Sequence, residues 1–480
     1  MVEAYKAQFI QFLLDREVLK IGGPYELKSK RLSPYFLKLD EVSDGEGLNK
    51  LGDAYADAIL ANIIPGNFDG VIGIPNKAHV FGPAIPMALA RKGANKAYSS
   101  WRDKPKTYGD ATALGQAPRD LRQSEYILGA KIPDGSRQIL ADDVMTAGDS
   151  KEDALKMIDF LAEGVVIPAL VIAANRQEID EYGENAIESF SKRHDIPVIY
   201  PISVGDIFDY LKESDKLSPH DGKAFMAYLR SWGTKEAREK YGLKSGHLIE
   251  GRSVIPACDT DSMELFEEVV KETAGNSKIG GYKIGFELGL NHSLPKVVET
   301  ARRYTTDKKI IYDHQKAGTD IGDVQMARKF AKTLKNAGVD AVIFFPQSGP
   351  VTQTAWTGEA LQEGLHVIIG GHMTHKGYLE SEHGYIRDSA PEEIYRRTAR
   401  HGINSFVVPG NKTEFVEMYK KIVESEGSDP EFFAPGFITQ GGSISEAGKV
   451  AGDNFHAIVG RDLMNAENKK EKAGQLTSQL

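Results

Sequence analysis

The sequence predicts an α/β chain of two domains, a doubly wound parallel sheet followed by a (β/α)8 barrel, and three observations carry that reading. The 480 residues exceed what one hydrophobic core usually supports. Strand-like apolar runs alternate with helix-length amphipathic segments along most of the chain, the pattern of parallel sheets built from βα units. From Ser253 onward eight such runs succeed one another, namely VIPACD, GGYKIGF, KIIYDH, AVIFFP, HVIIGG, SFVVPG, FFAPGF and HAIVGR. Eight units point to a closed barrel, although an open doubly wound sheet has the same local pattern and stays open on the count alone.

Taken in order, Met1 to Leu19 sets Glu3, Lys6, Asp15, Arg16 and Glu17 among apolar positions, which predicts an amphipathic helix and not a signal peptide. The first domain is expected over residues 1–212. A Lys-, Glu-, Ser- and Gly-rich linker over 213–247 follows, with a helix around Gly222 to Arg230. The second domain is expected over 248–480. With 41% hydrophobic and 26% charged residues, each half has enough apolar side chains for its own core.

A net charge of −9 argues against a nucleic-acid partner, since phosphate backbones are bound by clustered Lys and Arg. No apolar run reaches membrane-spanning length, so no membrane partner is expected. The single cysteine, Cys258, excludes an intrachain disulfide and suits a reducing, cytoplasmic setting. No His/Cys cluster has metal-ligand spacing, so no zinc site is expected.

The most informative stretch of the first half is Gln138-Ile-Leu-Ala-Asp-Asp-Val-Met-Thr-Ala-Gly-Asp-Ser150. An apolar strand ends in two acids, and a small-residue turn then leads into a helix over Lys151 to Leu161. Backbone N–H groups of the turn Thr146, Ala147, Gly148, Asp149 and Ser150, together with the positive end of the helix, make an anion cradle. Asp142 and Asp143 can accept hydrogen bonds from two ribose hydroxyls. This stretch resembles the PRPP signature of type I phosphoribosyltransferases.

The run Leu27-Lys-Ser-Lys-Arg-Leu-Ser-Pro-Tyr-Phe36 narrows the resemblance to orotate phosphoribosyltransferases. It implies that Lys28 contacts PRPP phosphates, that Tyr35 and Phe36 flank the orotate ring, and that Lys77 in Gly73-Ile-Pro-Asn-Lys77 meets pyrophosphate. Arg176, in Ala174-Asn-Arg-Gln-Glu178, matches the arginine that holds orotate. Trp101-Arg-Asp-Lys-Pro-Lys-Thr-Tyr-Gly109 stands in the place of the family's mobile loop. Arg102 and the catalytic cation Lys106 fit that loop, whereas Asp103 replaces a lysine and Tyr108 a histidine. The resemblance implies Mg²⁺ carried on PRPP, with no metal bound directly by the protein.

In the second half Asp259 ends the first barrel strand, Lys283 lies in the second, and Asp313, Lys316 and Asp320 follow the third. Side chains at successive carboxyl ends of barrel strands meet over one mouth. The array resembles that of orotidine 5′-monophosphate decarboxylases, with one extra residue before and one after Lys316, which changes the local turn around His314.

The resemblance implies that Asp259 and Lys283 hold ribose hydroxyls, that Asp313 sits against the substrate carboxylate and that Lys316 protonates C6. It further implies that Asp320 reaches a neighbouring subunit, making a homodimer or larger homo-oligomer, and that this step needs no cofactor. Gln440, Gly460 and Arg461, in Pro435-Gly-Phe-Ile-Thr-Gln-Gly-Gly442 and Ile458-Val-Gly-Arg461, match the family's phosphate-binding residues, and Thr374 in His372-Met-Thr-His375 its pyrimidine contact. Cys258 reads as a small core residue.

Orotate, PRPP and orotidine 5′-phosphate are thus the expected small-molecule partners, with UMP the product. Two alternatives stand beside this reading. One keeps the barrel as a Mg²⁺-dependent sugar-phosphate decarboxylase, against which Lys283 and Lys316 count. The other makes the first half a PRPP-binding regulatory module without transferase activity, motivated by Asp103 and Tyr108.

Overall fold

The structure is a computed structural model and describes residues 2–105, 118–145, 149–313, 322–437 and 441–480. It divides into two compact units, residues 1–180 with 184–225, and residues 181–183 with 226–480. Among the described residues no helix is long and apolar enough to cross a membrane.

The first unit opens with a helix over Ala4–Asp15, shorter than the segment expected to be helical. Glu17 takes a left-handed conformation (φ 54°), which L-residues resist and which ends helical winding. The chain turns there into an antiparallel hairpin of β1 (Leu19–Glu26) and β2 (Leu32–Leu37).

The main sheet comprises β3 (Gly70–Gly73), β4 (Ala97–Trp101), β5 (Ile127–Gly129), β6 (Gln138–Val144), β7 (Leu170–Asn175), β8 (Val198–Ile199) and β9 (Ile202–Ser203). Its order is β5-β4-β3-β6-β7-β8, with β9 also beside β7, and only β4 with β5 is antiparallel. Six of the seven residues of β6 are buried, as expected of a strand covered on both faces. From β3 the chain steps to β4 on one side, and β6 pairs on the other. The switch point therefore lies at the carboxyl ends of β3 and β6, where open α/β sheets place their ligands.

Residues 213–247 are largely helical, with helices over Pro219–Trp232 and Lys235–Lys240. The division between the units falls inside this segment. Phe225 stacks on Tyr35 in the first unit at 5.3 Å between ring centres. Trp232 belongs to the second, donating its indole N–H to Gln362 at 2.8 Å.

The second unit is a closed barrel of eight parallel strands in sequence order: β10 (Ser253–Cys258), β11 (Gly281–Ile284), β12 (Lys309–Asp313), β13 (Ala341–Phe344), β14 (His366–Gly370), β15 (Ser405–Val407), β16 (Glu431–Ala434) and β17 (Phe455–Val459). Parallel pairing of β10 with β17, Ser253 opposite His456, closes it and excludes the open sheet. Ile255, Ala257, Ile311, Ile343, Phe433 and Ile458 are among the side chains filling the interior, so the barrel is a packed core and not a pore. Its chemistry is confined to the two ends.

Candidate active sites

At the switch point of the first unit, Asp142 and Asp143 lie at the carboxyl end of β6, both buried. Each carboxylate has its own lysine. Lys77, the first residue of the helix Lys77–Phe81 after β3, donates to Asp143 Oδ2. Lys151, from the helix Asp149–Leu161, lies 2.7 Å from Asp142 Oδ2 and donates to the Val144 carbonyl at 2.7 Å. Burial raises the Asp142 pKa above the ordinary aspartate value, and Lys151 opposes that rise. Asn76 takes a positive φ of 74° and stands at the N-cap of the short helix Lys77–Phe81, which Lys77 opens after the end of β3.

Lys28 is exposed on the turn between β1 and β2. Arg102 follows β4, its guanidinium donating to the Ile127 carbonyl at 3.0 Å. Arg176, just beyond β7, is buried and paired with Glu178 at 2.8 Å, and its Nη2 also donates to Ser33 Oγ at 3.3 Å.

Tyr35 packs beside Arg176. It is fully buried, its hydroxyl donates to Glu178 at 3.1 Å, and the Arg176 guanidinium lies 4.5 Å from its ring centre. Successive residues of a strand face opposite sides, so Tyr35 and Phe36 point their side chains to different faces of β2. Phe36 is the half-buried one of the two, whereas Tyr35 backs Arg176 from within. Lys106, Thr146, Ala147 and Gly148 lie outside the described residues, as does Tyr108; Asp149 and Ser150 open the following helix.

At the barrel mouth Asp259, Lys283, Asp313, Thr374, Gly460 and Arg461 all line one cavity of about 300 Å³. Lys283 reaches between two acids, its Nζ 3.0 Å from Asp259 Oδ1 and 2.8 Å from Asp313 Oδ2. Burial alone favours the neutral amine, but Asp313 and Asp259 outweigh it and hold the Lys283 pKa above its ordinary value. Gly436, at φ 110°, sits so close to Thr374 and Asn411 that a Cβ there falls 2.9 Å from the Thr374 methyl. Lys316, Asp320 and Gln440, with His314, lie outside the described residues.

The sequence reading missed the polar network behind Thr374. Buried His372 accepts at Nε2 from the Lys412 ammonium, 3.1 Å away, so its proton sits on Nδ1, which donates to the Tyr419 hydroxyl at 2.8 Å. Lys412 is also paired with Glu382 at 2.7 Å. Burial and Lys412 push the His372 pKa down to about 4. The only local signal was the position of Asn411-Lys412 just after the sixth strand, at the carboxyl end of the barrel.

The neutral form of His372 is therefore built into the fold. As pH falls from the ordinary histidine value of about 6.5 toward about 4, the unfolded chain takes up a proton that the folded chain refuses. Stability of this unit is expected to drop over that window, less steeply in Lys412→Met. Thermal melts across the window, with the His372 ring titration followed by NMR, check this.

Residues of the first unit align with an orotate phosphoribosyltransferase of Pseudomonas aeruginosa at 32% identity over 232 residues, covering 48% of this chain and 100% of the relative. The chain belongs to the orotate phosphoribosyltransferase family. Orotate phosphoribosyltransferase 2 of Saccharomyces cerevisiae is 30% identical over 240 residues, 96% of its length. The remainder carries a second family domain: residues 252–476 match the family model described as orotidine 5′-phosphate decarboxylase / HUMPS family. A transferase half and a decarboxylase half in one chain make a fusion of the UMP synthase kind. Within it, the switch-point carboxylates belong to the transferase half and the Asp259–Lys283–Asp313 cluster to the decarboxylase half.

Proposed function

We propose that the chain makes UMP from orotate and PRPP in two steps, and that the observation carrying this is the pairing of two strand-end acid/lysine sites with two family matches whose reactions are consecutive. In the first step the anomeric C–O bond to pyrophosphate breaks as a ring nitrogen of orotate bonds to that carbon. Asp142 and Asp143 accept from the ribose hydroxyls, Lys77 and Lys28 meet phosphate charge, and Arg176 meets the anionic base with Phe36 beside it. Thr146 to Ser150 supply the cradle, and Arg102 and Lys106 neutralise the leaving charge. Mg²⁺ carried on PRPP would supply positive charge to the leaving pyrophosphate, with no protein residue holding it directly. The transferase carboxylates fit that arrangement, because Asp142 and Asp143 are each already committed to a lysine.

In the second step the bond from C6 to the carboxylate breaks and Lys316 delivers a proton to C6. Asp313 presses on the departing carboxylate, while Lys283 and Asp259 take the ribose hydroxyls. Fixed charges already in place stabilise the developing carbanion without reorganising, and no cofactor enters. Thr374 reads the pyrimidine, and Gln440, Gly460 and Arg461 hold the phosphate. Asp320 completes a neighbouring subunit's site, so the working form is a homodimer, in a cytoplasmic setting.

The test is a coupled assay with orotate, PRPP and Mg²⁺, following pyrophosphate, orotidine 5′-phosphate and UMP. Wild type is expected to release pyrophosphate and form UMP. Arg176→Ala is expected to slow the first step about 10–100-fold, the worth of a charge-assisted hydrogen-bonded pair, with decarboxylation of added orotidine 5′-phosphate unchanged. PRPP binding without pyrophosphate release points instead to the regulatory-module reading.

A further inference from the structure

We propose that Lys151 is a positioning residue of the transferase site, whose ammonium holds Asp142 ionised and fixed in the direction from which it accepts a ribose hydroxyl. This rests on the transferase reading above. Lysine is among the residues least often buried, and when buried it is paired. Here its side chain is 5% exposed, in the first turn of the helix Asp149–Leu161. The ammonium lies 2.7 Å from Asp142 Oδ2 and 2.7 Å from the Val144 carbonyl oxygen. It thus ties the end of β6 to the start of the helix.

The two acid/lysine pairs of this site are not equivalent. Lys77 has a side chain 41% exposed and can exchange Asp143 for a ligand anion, whereas Lys151 has no comparable opening. Asp142 is enclosed by charge and polarity from every described element around it. Asp143 follows it in β6, and the Asp143 N–H donates to Asp142 Oδ1 at 2.8 Å. Lys77 stands beyond Asp143, and Tyr55 of the helix Gly45–Asn62 donates to the Asp142 carbonyl at 2.8 Å. Two adjacent buried carboxylates cannot both stay ionised cheaply without cations. Burial already lifts the Asp142 pKa, and Lys151 is the cation that opposes it. Without Lys151 the carboxyl takes a proton more readily, donates where it should accept, and loses its anchor.

The experiment compares wild type, Lys151→Met, Asp142→Asn and the double variant in the pyrophosphate-release assay. Lys151→Met is expected to raise the KM for PRPP about ten-fold or more near neutral pH, the worth of a lost hydrogen bond to a charged group, with the KM for orotate unchanged. The deficit should shrink as pH rises, because a carboxyl with a raised pKa regains its charge at higher pH. Asp142→Asn removes the charge directly, and adding Lys151→Met to it should raise the KM no further. Decarboxylation of added orotidine 5′-phosphate by the same preparations normalises for intact chain.

If Lys151→Met alone fails to fold, the double variant, which leaves no unpaired buried charge, still reports through its comparison with Asp142→Asn. A PRPP KM at the wild-type value in Lys151→Met, a deficit independent of pH, or additive losses in the double variant overturns the proposal. Inactive wild type would instead overturn the transferase reading on which it rests.

Discussion

Replacing Lys283 by alanine is expected to stop UMP formation while leaving the conversion of orotate and PRPP to orotidine 5′-phosphate intact. The Lys283 side chain is 9% exposed and reaches Asp259 at 3.0 Å and Asp313 at 2.8 Å, so its loss removes the ammonium that bridges the two carboxylates. Asp313, itself 7% exposed, then loses its buried ammonium partner Lys283, and the fixed field that favours charge at C6 is weakened. A decrease in kcat/KM for decarboxylation of about 10³-fold or more is expected from losing such a preorganised group. Breaking the buried pair should also cost the decarboxylase half about 3 kcal/mol of stability. A double variant, Lys283→Met with Asp313→Leu, should recover much of that stability and none of the activity. Orotidine 5′-phosphate should accumulate in Lys283→Ala, as in Lys316→Ala. UMP output within ten-fold of wild type would remove the cluster from the mechanism.

That cluster was legible in the sequence because its members are ionisable residues at the ends of otherwise apolar strands. The strands were legible for a related reason. Parallel strands covered on both faces read as continuous apolar runs, as in Val254 to Cys258 and Ala341 to Phe344, all buried. Closure of the barrel was not legible, because it depends on β10 meeting β17 at the far end of the domain. The packing of Tyr35 against Arg176 and Glu178 was not legible, because a motif match does not weigh burial. Lys412 and Glu382 went unseen because their relation to His372 exists only when loops from different barrel strands come together. Lys151 was visible only as the first residue of an expected helix, and its burial against Asp142 is a tertiary fact.

Glu431→Ala should be among the most destabilising single changes in the decarboxylase half, although it lies at the amino-terminal ends of the strands, away from the chemistry. Its carboxylate is fully buried at the start of β16. It accepts from the backbone N–H groups of Leu248 and Ile249 at 3.0 and 2.8 Å and from Ser405 Oγ at 2.6 Å. His456 Nε2 lies 2.9 Å away, and Ser253 bridges to Nδ1 of the same ring at 2.8 Å.

The side chain therefore ties the segment entering the barrel to β15 and β17. Alanine leaves these donors buried without their acceptor, at a cost of about 3–5 kcal/mol. Burial raises the Glu431 pKa, but His456 and the hydrogen bonds reverse that and hold it below the ordinary glutamate value. A carboxylate with a depressed folded pKa stabilises the fold above its unfolded value of about 4.3 and loses that contribution as pH falls through the folded one. Wild type should therefore lose stability in acid over that range, and Glu431→Ala, lacking the group, should show a smaller dependence there from a lower starting point. Denaturant melts of both proteins across the acid range decide this. Parallel wild-type and variant curves would mean that Glu431 is not the group that titrates.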